Sequence, residues 1–227
     1  MTLEARVSHP IRISEVFLSI QGEGPSAGTP AHFVRVQGCD VGCHWCDTRY
    51  TWPAPGGRAG EVDAALDEAR ALGEAPLLVI TGGEPLQHPG IEALIDAALE
   101  RWSRVEIETS GIAPPPRSHA RLAWNVSPKL PSATPRSADT WQHLATWLAE
   151  PRATLKVVVA DEADLDEVTR RIAHHTIPPE RIMLMPEGLT DEVLRERARW
   201  LAEGCKRLGV RMSPRLHVWM WGARRGV

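Results

Sequence analysis

Apolar residues recur along the chain in two rhythms. Residues 11–20 alternate moderately, as a strand with one buried face does, and run into the glycine-rich turn Gln21-Gly22-Glu23-Gly24. Residues 32–37 read as a buried strand that opens into a loop. Leu77-Leu78-Val79-Ile80, bounded by Pro76 and Gly82, fits an interior parallel strand. Further strands are expected over residues 105–109, 123–127, 155–159, 182–185 and 216–220. Helical spacing marks 64–72, 91–102, 140–148, 165–173 and 190–208.

Strands that alternate with helices imply right-handed βαβ units and a parallel sheet. About six such units are too few for a closed eight-fold barrel. The expected fold is therefore α/β, a partial (open) βα barrel in one domain. Several strands end in polar or glycine-rich turns: Gly38, Thr81-Gly82-Gly83-Glu84, Glu108-Thr109-Ser110-Gly111 and Ser127-Pro128-Lys129. Carboxyl ends of parallel strands host active sites, so these turns are expected to converge on one face.

Charge narrows the classes of partner. Lys and Arg number 26 against 29 Asp and Glu in 227 residues, which argues against a nucleic-acid-wrapping surface. No run of eighteen apolar residues suggests a membrane span, and residues 1–10 lack the apolar core of a secretory signal. A cytoplasmic chain is expected.

Cysteine spacing carries the chemistry. Three of the four cysteines, Cys39, Cys43 and Cys46, fall in a C-x3-C-x2-C loop. Spacing this short suggests a metal or redox site in a reducing compartment rather than a disulfide framework. Three thiolates can hold three corners of a [4Fe–4S] cube and leave one iron open. The alternatives are a zinc site completed by His44, or an electron carrier, which would want a fourth cysteine nearby. Cys205 lies in a helical pattern and reads as a small buried hydrophobe.

The triad and its companions resemble the radical S-adenosylmethionine superfamily, and within it the 7-carboxy-7-deazaguanine synthase family. The residues that carry the likeness are Ser19-Ile20-Gln21-Gly22-Glu23-Gly24, Arg35-Val36-Gln37-Gly38-Cys39, Cys46-Asp47-Thr48 and Ile80-Thr81-Gly82-Gly83-Glu84-Pro85. Ile107-Glu108-Thr109-Ser110-Gly111, Ser127-Pro128-Lys129 and the segment from Leu216 to Val227 add to it. The resemblance runs from about residue 11 to the end, in the compact C-x3-C form.

The resemblance implies a ring contraction of 6-carboxy-5,6,7,8-tetrahydropterin to 7-carboxy-7-deazaguanine and ammonia. It implies a [4Fe–4S] cluster on Cys39, Cys43 and Cys46, with S-adenosylmethionine on Trp45, Cys46, Asp47, Gly83, Ser127, Pro128, Lys129, Met185, Pro186 and Glu187. Mg²⁺ would sit on Thr48, whose other reading is a threonine in an Asx turn with Asp47. The pterin would meet Ile20, Gln21, Gly22, Glu23, Arg35, Thr81, His217 and Val227. Without the resemblance, residues 21–24 could be a plain turn, Arg35 a surface ion pair and the tail mobile. Radical chemistry falls to the cofactor, with Glu108 the candidate catalytic side chain, and Trp45 is expected to shield the cluster. A flavodoxin-type reductant and a homodimer are implied as partners. The rival task for the same chemistry is activation of a glycyl-radical enzyme.

Overall fold

A computed structural model describes residues 9–227; residues 1–8 lie outside the described residues. Among the described residues nine strands form one sheet, and six α-helices connect or cover them. In chain order they are β1 (Pro10–Ile20), β2 (Pro30–Val36), β3 (Arg58–Glu61), α1 (Val62–Ala71), β4 (Leu77–Gly82), α2 (Ile91–Arg101), β5 (Arg104–Thr109), β6 (Leu122–Val126), α3 (Leu144–Ala149), β7 (Ala153–Val159), α4 (Glu162–His175), β8 (Ile182–Pro186), α5 (Asp191–Leu208), β9 (Arg211–Met212) and α6 (Leu216–Trp221). Strand order is β3-β1-β2-β4-β5-β6-β7-β8-β9. From β2 to β9 every pairing is parallel, while β1 runs antiparallel to both β2 and β3.

The expected open βα barrel is thus present, with an antiparallel margin that was not anticipated. β3 is missing from the expected strands because Arg58-Ala59-Gly60-Glu61 has no apolar alternation and lies largely exposed. The expected strand over residues 216–220 is helix α6. Two-residue β9 already occupies the sheet edge beside β8, so the apolar run after Pro214 finds no strand to pair with. It coils against α5 instead, burying Val218. Expected helix 140–148 is shorter, because Ser137–Thr140 forms a tight 3₁₀ turn and α3 begins at Leu144.

Strand alternation divides the sheet chemically. One face presents Leu78, Ile80, Ile107, Trp124, Val126, Leu155, Val157 and Leu184, all buried in one apolar cluster with Leu66 of α1, Leu94 and Ile95 of α2, Trp147 of α3, Val168 of α4 and Leu201 of α5. Each such aliphatic burial is worth ~1.5–3 kcal/mol, which is what holds the helices to the strands. Register places Arg35, Thr81, Glu108 and Asn125 together on the opposite, inner face, where Glu106 and Lys156 also lie. The floor of that face near β1 is apolar, with Phe17 and Phe33 stacked at 4.7 Å, and Val158, Met183 and Met185 add buried apolar groups on β7 and β8.

At the amino ends of the strands His32 is buried with both ring nitrogens engaged. Trp102 Nε1–H donates to its Nδ1 at 3.1 Å, and its Nε2 meets the Gly73 carbonyl at 3.0 Å. That pattern requires the neutral imidazole, and burial lowers its pKa. The unfolded chain titrates near pH 6.5 and the folded histidine below it, so stability from this group is present above that pH and lost as pH falls. Urea denaturation between pH 7.5 and 5 is expected to show a slope of up to about 1.4 kcal/mol per pH unit that a His32→Gln variant lacks.

Candidate active site

The cysteine loop begins where β2 ends. Gly38 (φ +103°) and Gly42 (φ +72°) occupy left-handed backbone that side chains rarely adopt, and they turn the chain back past the strand end. Gly38 N–H donates to the Thr51 carbonyl (2.7 Å), His44 N–H to Ala133 O (2.8 Å) and Thr134 Oγ1 to Val41 O (2.7 Å). Two neighbouring loops therefore fix it. Beyond β4, Gly83 packs so closely on the Gly38 carbonyl and the Cys39 side chain that a Cβ could not fit. The Gly-Gly turn is a spacing device between two strand ends.

Glu84 anchors the same turn to β5. Nearly inaccessible, its carboxylate accepts from Thr109 Oγ1 (2.5 Å), Ser110 N (2.6 Å), Ser110 Oγ (2.6 Å) and Leu86 N (3.0 Å).

A cavity of about 250 Å³ opens over these turns, and Cys39, Cys43 and Cys46 all line it. No cysteine is in a disulfide. Burial pushes the Cys39 thiol up to about 11 and raises Cys43 as well, so as bare thiols both are neutral at pH 7. A bound cation reverses that preference. Trp52 Nε1–H donates to Cys46 Sγ at 3.3 Å, a hydrogen bond of the kind that tunes cluster sulfurs. Among the described residues no three His, Cys, Asp or Glu side chains converge on a single ion. The thiols instead share one cavity wall, and His44 is exposed and away from that wall. Free, cavity-facing thiols with an N–H donor fit a multi-iron cluster better than a tetrahedral zinc.

The wall beside the thiols carries Trp45, Asp47, Thr48, Gly83, Ser127, Lys129, Met185 and Glu187. Lys129 Nζ donates to Ser127 Oγ (3.0 Å) and lies 5.6 Å from the Trp45 ring centroid. Pro128 and Pro186 are buried behind this wall and do not line the cavity. Glu187 is already ion-paired with Arg197. Thr48 Oγ1 lies 3.5 Å from Cys46 Sγ, and the Asp47 carboxylate bonds Arg215 rather than closing an Asx turn.

Across the cavity, residues 21–28 leave β1 at the amino end of the sheet and climb into the barrel. Ser26 and Asn125 both donate to buried Glu106, and Gly24 N–H donates to Ser213 Oγ at 2.8 Å. This seating brings Gln21 and Glu23 level with Glu108. Gln21 Nε2–H donates to Glu108 Oε1 (3.2 Å), Thr81 Oγ1 to Glu108 Oε2 (2.9 Å) and Glu23 N–H to Gln21 Oε1 (3.1 Å). Glu23 meets Lys156 Nζ at Oε2 and Arg215 Nε at Oε1 (3.1 Å), with His217 Nε2 at 3.8 Å. Burial alone would raise its pKa; Lys156, Arg215 and His217 outweigh burial and hold the carboxyl well below the ordinary range. The cavity wall here also includes Ile20, Gly22, Arg35 and Val227. Arg35 Nε–H donates to Glu15 (2.7 Å), which also accepts from Tyr50 (2.7 Å), and Arg225 lies 3.8 Å over the Tyr50 ring.

Lys156, Arg215, Glu15 and Tyr50 were not anticipated, and Glu84 was expected only as part of the glycine turn. A lone lysine in Leu155-Lys156-Val157-Val158-Val159 was a usable signal, since a charge in a buried strand must find a partner. Arg215 follows a proline in an irregular stretch that offers no comparable signal.

Residues 33–126 match the model of the radical SAM superfamily. The 7-carboxy-7-deazaguanine synthase of Pyrobaculum aerophilum is 38% identical over 95% of this chain and 97% of its own length. The family is shown by that match. This chain belongs to the 7-carboxy-7-deazaguanine synthases. The Hyperthermus butylicus synthase is 39% identical over 92% of each chain. QueE from Escherichia coli, a crystal structure, is 28% identical with a TM-score of 0.66, covering 90% of this chain and 93% of its own. Membership in the synthase family decides against the glycyl-radical activase, the electron carrier and the zinc module. The superfamily match ends at Val126, whereas the synthases align across nearly the whole chain, including the strand ends that follow it.

Proposed function

We propose that the chain converts 6-carboxy-5,6,7,8-tetrahydropterin to 7-carboxy-7-deazaguanine, losing one ammonia. The observation that carries this reading is a single cavity with three free thiols on one wall and a cation-clamped carboxylate, Glu23, on the other. Cys39, Cys43 and Cys46 would hold a [4Fe–4S] cluster. Trp45, Asp47, Gly83, Ser127, Lys129, Met185 and Glu187 would surround S-adenosylmethionine. Together these groups supply hydrogen-atom abstraction and return.

The remaining work belongs to side chains. Ionised Glu23 can only accept, so it suits the amino and amide N–H edge of a pterin. Glu108, already aligned by Gln21 and Thr81, offers a second acceptor toward the same ring. Arg35 has a planar fork for the substrate carboxylate, and Glu15 must share or yield it. His217 and Val227 line the same cavity and would meet the substrate there. The Thr48 hydroxyl is a suitable oxygen ligand for Mg²⁺, which takes few protein donors. A flavodoxin-type reductant and a homodimer complete the reading. No helix of the described residues is long and apolar enough to cross a membrane.

Anaerobic incubation of reconstituted, reduced protein with the carboxytetrahydropterin and S-adenosylmethionine tests the proposal by mass spectrometry. A product lighter than substrate by one ammonia is expected. Unchanged pterin, under conditions that still yield 5′-deoxyadenosine, rules the substrate out.

A further inference from the structure

Lys156 stands out among the buried cations. It lies on the inner face of β7, its side chain is 5% exposed, and its neighbours along the strand are apolar. Its ammonium is bonded to Glu23 and stands 3.8 Å from Glu108 Oε1. Those two carboxylates come from different elements, the climbing loop and β5, and both face the cavity.

Two acidic side chains in one desolvated pocket repel each other and resist ionisation unless a cation lies between them. The other groups around Glu23 are Arg215 and His217 from the start of α6. Asp47 lies beyond Arg215 and draws part of its charge. Arg215 is divided among Glu23, Asp47 and the Gly188 carbonyl, whereas Lys156 pairs, among the described residues, with Glu23 and Glu108.

We propose that Lys156 is a positioning residue for substrate: it holds Glu23 and Glu108 as a pair of fixed acceptors, and so sets affinity for the donor edge of the heterocycle. The proposal rests on the pterin reading above and deepens it, assigning a role to a side chain outside the anticipated set. Lys156 acts through the two carboxylates and is not itself a catalytic group.

The physical consequence is specific. Without the ammonium, Glu23 keeps a shared guanidinium and a weakly charged imidazole, and takes up a proton more readily. A protonated carboxyl presents a donor where the ring needs an acceptor. Weakened binding should therefore recover as pH rises, a signature that a purely structural defect would not give.

The test is fluorescence quenching of 6-carboxypterin, a stable oxidised analogue, on the full chain from about pH 5.5 to 7.5. Wild-type affinity is expected to vary little. Lys156→Met is expected to bind roughly tenfold or more weakly at pH 6, with the loss shrinking toward pH 7.5. Lys156→Arg, which keeps the charge, should recover most of it, and in turnover Lys156→Met should raise KM more than it lowers kcat. Wild-type affinity in Lys156→Met, or a loss equal at every pH, overturns the proposal. Should Lys156→Met fail to fold, Glu23→Gln/Lys156→Met is compared with Glu23→Gln alone: with one carboxylate left there is no pair for the ammonium to hold, so equal affinity of the two variants supports the role, and a further loss of about tenfold or more overturns it. If wild-type protein does not bind the analogue, the pterin reading itself falls; loss of the Lys156 effect alone leaves that reading standing.

Discussion

Cys43→Ala is expected to abolish turnover, by roughly a thousandfold or more, and to lower bound iron in the reconstituted protein. Changes to groups that merely support a metal ligand cost 10–100-fold, and loss of a ligand itself should exceed that. Cys43 lines the shared cavity wall, and its thiol is buried, with the charge of Lys129 partly opposing the effect of burial. Alanine fills most of the same space, so the fold should persist with an unchanged far-ultraviolet spectrum. Cys205→Ala is the matched control. Its thiol, pushed up to about 11 by burial, packs in the apolar cluster between α5 and the sheet. Iron content and turnover should survive that change. Wild-type iron in Cys43→Ala, or iron loss in Cys205→Ala, would contradict the triad.

Glu84→Ala should give the largest loss of stability of any substitution near the site. Four hydrogen bonds end on this carboxylate, two of them from Ser110. Alanine leaves a buried backbone N–H and two hydroxyls without acceptors, at a cost of ~3–5 kcal/mol. For a chain of this size that lowers Tm by roughly 6–20 °C. Glu84→Gln should not rescue it fully, because its NH₂ group faces donors. Calorimetry of the three proteins checks this, and a shift under about 2 °C for the alanine variant would show that the turns hold without the carboxylate.

Much of this architecture was legible because the physics was local. Strands β4, β7 and β8 are apolar runs, the amphipathic spacing of α2 and α5 is clear, and C-x3-C-x2-C needs no tertiary knowledge to suggest a cluster loop. The glycine turns marked strand ends correctly, because close approach of backbones leaves no room for a side chain at Gly83. What stayed hidden depends on distant partners. A run such as Leu216-His217-Val218-Trp219-Met220-Trp221 suits strand or helix equally by composition. The choice was made by β9, which had already taken the edge. Lys156 vanished into an apolar strand because its counter-ion lies 133 positions away. Arg215 has the same difficulty, with Glu23 separated by 192 and Asp47 by 168.

The loop that climbs into the barrel also has a kinetic meaning. Its fastenings, Gly24 to Ser213 and Gly22 to Leu216, join segments 189 and more positions apart. Loop closure over such spans is slow, and nearly the whole chain must be available before it can occur. The heterocycle's berth should therefore mature after the sheet has condensed, and a ribosome-bound or clipped chain lacking residues 213–217 would have strands and helices but no finished place to receive a ligand.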